Sequence, residues 1–417
     1  METATPKIGY KEIFAQKEYM KSVIASVINR FGDSVDAIAS TWIVYELTSN
    51  AMWSALIYGM NTLPTVLVTP FAGAFVEKRN KKTLMVITDL IRALCVAYIA
   101  TSYLFGFLQA WHLILTTLII STVEAFRTPA NTAITPMILE EKYYDYGMSL
   151  SSSLGTVISL IGTGIAAGII AFIGTSGAIY LDMITFILSA LIISTIHTHE
   201  SKHQTEKFDL KQYSLTLKEG MKYAFSQKTI LLFCFIALFL NGIIVPLNSL
   251  QAPLISEVLG GGTTSLSVMG ISISLSMLTG SVLYPMIHKR VTGKQLCIFS
   301  SIGLACFYLG IVACRPFYTS ELISDIILAV LIFILGFAVA LINSFASVEL
   351  IKRVEQDYLA RVVALFTALT VAVNPVISFL LTGLTRILST VSIFLIAGIL
   401  AVIMTFFMIS NKTLKEV

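Results

Sequence analysis

Apolar residues run in stretches far longer than a soluble helix face requires, with polar residues confined to short breaks between them. The stretches fall at 19–47, 51–76, 83–107, 111–134, 148–173 and 177–196, then at 229–254, 267–287, 295–314, 323–348, 359–385 and 391–410. Each matches or exceeds the roughly 20 residues that cross about 30 Å of hydrocarbon as an α-helix. A lone helix satisfies its own backbone in lipid and a lone strand does not, so the pattern predicts an all-α integral membrane protein with twelve transmembrane helices. Six runs precede and six follow the polar stretch 197–228. The expected organisation is a six-helix bundle over 1–196, a linker over 197–228 and a second six-helix bundle over 229–417.

Composition agrees: the 417 residues are 56% hydrophobic and 12% charged, with a mean hydropathy of +0.84, against about a quarter charged in an ordinary soluble domain. Of the 28 Lys and Arg, 23 lie in the two tails and the loops after runs 2, 4, 6, 8 and 10 or, for Lys21 and Arg361, within the first three residues of the run that follows. The opposite loops hold only Arg315 and Arg386, and Arg30, Arg92 and Arg127 lie within or at the ends of runs. Positive residues collect on the cytoplasmic side, so both termini and the linker are expected there, in the inner or plasma membrane of the cell. The net charge of +4 is therefore a topology signal and does not point to nucleic acid. The first apolar run is too long for a cleavable signal peptide.

The five cysteines all lie in apolar runs without a Cys-x-x-Cys, so they read as packing residues rather than disulfide or metal partners. His197, His199 and His203 read as part of a solvated linker. There is no Gly-x-x-x-x-Gly-Lys-[Ser/Thr] for a built-in ATPase, and no nucleophile–base pair or metal-ligand spacing for an enzyme. No cofactor is expected. Uphill transport by such a chain would have to draw on an ion gradient.

Between runs 2 and 3 lies Gly73-Ala-Phe-Val-Glu77-Lys78-Arg79-Asn-Lys81-Lys82. It resembles the loop signature of the major facilitator superfamily, with Glu77 where that family has Asp and Lys78, Lys81 and Lys82 at its basic positions. Further segments are similar to the macrolide-efflux branch, a group of drug:proton antiporters. They are Arg30-Phe-Gly-Asp33, Asp89-Leu-Ile-Arg92, Phe126-Arg-Thr-Pro129-Ala130 with Ile134-Thr-Pro136, Tyr180-Leu-Asp182 with Thr185-Phe186, and Leu359-Ala-Arg361. Two features depart from the family pattern. Gly162-Thr163-Gly164 has Thr where many drug antiporters carry Pro, and the second copy of the basic loop, from Gly280 to Arg290, is degraded. The resemblance implies two pseudo-symmetric six-helix bundles, the major facilitator fold, around a midplane site. It also implies gating residues: Gly73, Glu77, Lys78, Lys81, Lys82, Asp89, Arg92, Arg127 and Arg361, with Glu77 meeting the start of run 11 near Arg361.

An ionisable residue inside a span is expensive without a partner and marks function by default. Run 1 holds Arg30, Asp33 and Asp36; run 3 holds Asp89 and Arg92; run 4 holds Glu124 and Arg127; run 6 holds Asp182. Asp89 and Arg92, one turn apart, read as a local pair, and Asp182 reads as a helix-terminal hydrogen-bonding group. Counting at 1.5 Å per residue sets Arg30 and Glu124 at the same depth. An Arg30–Glu124 pair would leave Asp33 free to titrate, beside Asp36; the alternative is a closed Arg30–Asp33–Glu124 network that only ties runs 1 and 4. The second half offers amides instead of buried charge: Asn241, Asn248 and Gln251 in run 7, Asn343 in run 10 and Asn374 in run 11. Several Phe residues accompany them.

Acid on one wall and amides with aromatics on the other suit a bulky amphipathic or lipophilic molecule. The expected function is export of such a molecule, a drug or natural product, by proton-coupled alternating access. The expected partners are the lipid bilayer, a small-molecule substrate and protons, with the chain acting as a monomer. A lipid, lysolipid or siderophore exporter of the same fold is one alternative. A non-transporting membrane sensor is another, disfavoured because the linker is too short for a folded domain.

Overall fold

The computed structural model describes residues 10–77, 79–198, 228–353 and 356–411. Among them there is helix and no strand. Thirteen helices carry the architecture: α1 Tyr10–Phe14, α2 Lys17–Thr48, α3 Ala51–Leu67, α4 Thr69–Glu77, α5 Lys81–Leu104, α6 Ala110–Ile138, α7 Tyr144–Ser194, α8 Lys228–Ser249, α9 Thr263–His288, α10 Gly293–Ala313, α11 Glu321–Arg353, α12 Gln356–Leu384 and α13 Thr390–Ser410. All twelve apolar runs of the sequence are covered by helix. By length and hydropathy, seven helices among the described residues suffice to cross a membrane, and an eighth is the bent pair Cys234–Ser249 and Gln251–Leu259.

The breaks have local causes. Runs 5 and 6 are continuous as α7 except at Gly174, whose φ of +75° and ψ of 167° no helix contains; that backbone favours glycine. Asn80 caps α5 by accepting from the Thr83 N–H at 2.8 Å. Thr292 and Gln295 form a reciprocal capping box on α10. Run 2 divides into α3 and α4 at Val68, four residues after Pro64.

The helices turn large apolar residues outward, and they bury polar residues along with the apolar core. On α5 the large residues Ile87, Leu90, Leu94 and Tyr98 are exposed, while Thr88, Asp89, Arg92 and Ser102 are buried. Lipid supplies the partner for the exposed stripe, and the polar stripe must find its partners inside.

Cα proximity divides the chain into two compact units. One comprises Met1–Ser40 and Leu67–Lys207, the other Thr41–Val66 and Phe208–Val417. The boundaries expected from the sequence, 1–196 and 229–417, therefore differ from the contact units at 41–66. That segment is held by α12: the Ser378 hydroxyl donates to the Ala55 carbonyl at 2.5 Å, and a Cβ on Gly59 would lie 2.8 Å from the Phe379 ring. In the first unit, α5 packs on α6 and α7. A buried apolar cluster there comprises Ala25, Val76, Met85, Ala130, Ile134, Ile193 and Ile196. In the second, α9 packs on α11, and α10 on α11 and α13.

Candidate functional site: a buried charge network in the first unit

Asn29, Gly32, Asp33, Asp36 and Ser40 follow one another on α2 at helical spacing and share one face. Arg30 lies about 100° round from Asn29. This rotation decides the pairing. Arg30 and Glu124 are both exposed, and no ion pair joins them, so the pair expected from their depths is not formed. The cations that reach the α2 stripe come from α5 and α6.

Arg92 Nη2 donates to Asp33 Oδ1 at 2.7 Å, with side chains 5% and 31% exposed. Its guanidinium lies 4.1 Å from the centre of the Phe186 ring, a cation–π contact that covers its apolar face. Arg127 grips Asp89 with two nitrogens, Nε on Oδ1 and Nη2 on Oδ2, the latter at 3.2 Å. Ser189 Oγ donates to Asp89 Oδ2 at 2.7 Å. The local Asp89–Arg92 pair expected from their spacing is therefore replaced by two pairs between helices. Residues one turn apart on α5 point their polar ends to different neighbours.

Asn29, 3% exposed, joins the two pairs. With its amide oriented to satisfy both ends, Nδ2 donates to Asp33 Oδ2 and Oδ1 accepts from Arg127 Nη2, each at 3.0 Å. One hydrogen-bonded chain thus runs Arg92–Asp33–Asn29–Arg127–Asp89–Ser189. Two carboxylates remain beside it without a cation. Asp36 accepts from Ser40 Oγ through both oxygens at 3.0 Å. Asp182, 1% exposed, accepts from Thr185 Oγ1 at 3.1 Å. Asp182 lies within the second part of α7 rather than at a helix end. It meets α2 at Gly32, where a Cβ would lie 2.3 Å from Asp182 Oδ1 and 2.0 Å from Thr185 Oγ1. Only glycine allows that approach.

Four carboxylates and two guanidiniums leave this cluster acid-rich. It can hold a proton or a cation, and only Asp33 and Asp36 have side chains that are not fully enclosed. The sequence flagged the charged members. It missed Asn29, Gly32 and Ser189, small residues without a signal of their own.

The gating residues are placed in part. Lys82 Nζ donates to the Ile196 carbonyl at 2.8 Å, a cation at the end of α7. Arg79 lies over the Phe75 ring, and Gly73 has open space where a Cβ would stand. Lys81 opens α5. Lys78 and the side chains of Glu77 and Arg361 lie outside the described residues.

In the second unit a cavity of about 170 Å³ is lined by Asn241, Asn343, Ser300, Thr370 and Phe366 among others. It gathers two of the five expected amides; Asn248, Gln251 and Asn374 are not part of it. Asn241 Nδ2 donates to the Ala237 carbonyl at 2.8 Å. A second recess of about 360 Å³ between α8, α12 and α13 has a lining without charge or amide, including Phe235, Phe239, Ile377 and Leu400. The expectation for this half is almost no buried charge; Glu349, 6% exposed on α11, is a buried carboxylate there.

The sequence profile of the Major Facilitator Superfamily matches residues 23–370. The chain is 26% identical over 314 residues to the uncharacterized MFS-type transporter YkuC of Bacillus subtilis (strain 168), covering 72% of each. It is 22% identical over 324 residues to macrolide efflux protein A of Streptococcus pyogenes, covering 77% of each. The crystal structure of the nucleoside transporter NupG superposes with a TM-score of 0.76 at 14% identity, over 95% of this chain and all of the other. The match spans most of the chain and the helical fold agrees with it: this protein belongs to the Major Facilitator Superfamily of membrane transporters.

Proposed function

We propose that the protein exports a lipophilic or amphipathic small molecule, cationic or neutral, by proton-coupled alternating access from the cytoplasm. The observation that carries the reading is the acid excess of the buried network. Asp33 and Asp36 stand one turn apart on α2 with one guanidinium, Arg92, for the two of them. A carboxylate without a counter-ion in hydrocarbon is costly, so the pair is served by a proton or by a cationic cargo in turn. Competition of that kind is the minimum requirement for antiport.

Further support comes from the second unit. Its amide-bearing cavity and its apolar recess suit an apolar molecule with a few hydrogen-bonding groups better than a sugar or a phosphate ester. The likeness to a macrolide efflux protein agrees with this cargo class. The apolar recess also favours a second reading, a lipid or lysolipid exporter, in which an acyl chain is the cargo. An acid-rich network speaks against siderophores, which are anionic.

The test is a thermal-shift screen of the purified protein against macrolides, lysolipids and siderophores. It is followed by uptake of the stabilising compound into inverted vesicles with and without an imposed pH gradient. A macrolide or lipophilic cation that stabilises the protein and accumulates only with the gradient is the expected result. Accumulation indifferent to pH refutes the proton coupling, and stabilisation by siderophores alone refutes the cargo class.

A further inference from the structure

Helix α8 carries Pro246 within its span. Proline lacks the N–H that would bond Gly242 O, and its ring crowds that same carbonyl, which loosens the helix at the next rung, from the Leu247 N–H to the Ile243 carbonyl. Both groups of that rung are taken by one side chain from α10. The Tyr308 hydroxyl donates to Ile243 O at 2.5 Å and accepts from Leu247 N at 3.2 Å. One phenol thus bonds both groups of a rung that the proline disturbs.

The arrangement is built. Tyr308 is 0% exposed and its ring is fixed by Phe307 at 5.1 Å and Phe394 at 5.2 Å, both edge-on. It continues the stripe Ser300, Leu304, Tyr308 on α10, and the first two of these line the amide-bearing cavity. On α8, the half before the proline brings Asn241 to that cavity. After the proline the helix bends by 60° between Ser249 and Gln251 and ends in a π-helical turn, Leu254–Leu259. Tyr308 therefore bonds α8 between its cavity-lining half and the bend, about one turn before the helix changes direction. An unsatisfied carbonyl and N–H in hydrocarbon are costly, so without the hydroxyl the rung would close on itself.

We propose that Tyr308 is a positioning residue for transport: its hydroxyl, bonded to the Ile243 carbonyl and the Leu247 N–H on either side of Pro246, holds the bend that follows one turn later and joins the cavity-lining half of the helix to its far half. The kinetic part of this inference rests on the export reading above; the bend does not. No step routes substrate through Tyr308. It acts by holding Asn241 and its neighbours in register.

The test is a double-mutant cycle of Tyr308→Phe and Pro246→Ala, read first by the distance between spin labels at Leu231 and Gly260 in the full-length protein. At 1.5 Å per residue, arms of about 28 and 15 Å with the 60° bend between them span about 38 Å, and a straight helix about 43 Å. Tyr308→Phe is expected to lengthen the distance by a few Å, and the same change made on Pro246→Ala to add little, because an ordinary helix needs no wedge. The second readout is export of Hoechst 33342, a fluorescent lipophilic cation, from vesicles. Here Tyr308→Phe is expected to lower kcat about tenfold with KM within twofold. An unchanged distance in Tyr308→Phe overturns the proposal, as does an equal lengthening in both backgrounds. Should Tyr308→Phe not fold, a lengthened distance in Pro246→Ala alone supports the wedge and an unchanged one overturns it. If the unmodified protein does not move Hoechst 33342, the export reading fails for that cargo, while the distance cycle still decides the role of Tyr308.

Discussion

Arg127→Met is expected to be among the most destabilising single changes in the first unit, and its effect is expected to vanish when Asp89→Asn is added. Asp89 has no exposed surface. Its carboxylate is held by two nitrogens of Arg127 and by Ser189 Oγ. Removing the guanidinium leaves a buried anion with a single hydroxyl donor. Breaking a buried pair from one side costs about 3–5 kcal/mol, whereas replacing both charges is often close to neutral. The amide that Asp89→Asn introduces in the double variant keeps an acceptor for Ser189 and needs no cation. Arg92→Met is a built-in contrast: its partner Asp33 is 31% exposed, keeps part of its hydration, and is expected to lose only ~1 kcal/mol by the pair. Reversible unfolding in bicelles by added dodecyl sulfate, followed by circular dichroism, measures these differences. A double variant no more stable than Arg127→Met would refute the reasoning, because the cost would then lie in lost packing rather than in the orphaned charge. So would a loss below ~1 kcal/mol in Arg127→Met.

Asp33→Asn is expected to abolish pH-gradient-driven accumulation in inverted vesicles while downhill exchange persists; full gradient-driven accumulation would place the proton elsewhere. On a cysteine-free background, single cysteines at Asn50 and Gln109 should react with an impermeant thiol reagent from outside the cell, and one at Asn80 should not. Outside labelling at Asn80 would overturn the assigned orientation. At the start of α2, Lys21 and then the His197 N–H hold the Glu18 carboxyl below its ordinary value of 4.5. A lowered carboxylate stabilises the folded state above its unfolded value and stops doing so as pH falls through the folded one. Glu18→Gln should therefore reduce the melting temperature at pH 7 and leave it unchanged near about pH 3; an equal loss at both would remove the charge from the argument.

The helices were legible because lipid forces every backbone group into one, so apolar run length alone marks them. The loop at 73–82 and the charged residues inside runs were legible for the same reason: polarity in hydrocarbon has few causes. Pairing was not, since it depends on how each helix is rotated. Depth put Arg30 opposite Glu124, but depth is one coordinate and the helical phase is the other. Asn29, Asp33, Asp36 and Ser40 share one face of α2 and Arg30 stands off it, a difference of phase that counting depth ignores. The cations that answer the stripe sit on α5 and α6, and nothing in one sequence gives their rotation. Asn29 and Ser189 are common residue types, and their importance exists only in the assembled network. Pro246 carried a signal of another kind. A proline within a span leaves backbone groups that some neighbour must satisfy, yet the sequence does not say that the neighbour is Tyr308.

On the export reading, the charge balance of the network makes one arginine matter more to transport than to stability. Arg127 is committed, since Asp89 has no other cation and no route to water. Arg92 is bound to a carboxylate that is 31% exposed, and its Nε has no hydrogen-bond partner. Asp36 lies one turn from Asp33 on α2, and Asp182 meets the same face at Gly32; each leans on a hydroxyl alone. On the export reading, a proton arriving at Asp33 weakens its hold on Arg92, and the guanidinium then has two uncompensated carboxylates within the same cluster to answer. Asn29 transmits the change, because its amide bonds Asp33 and Arg127 at once. The static pair at Asp89 fixes where α5, α6 and α7 meet, and on the export reading the pair at Asp33 is the one whose state a proton or a cationic cargo would alter.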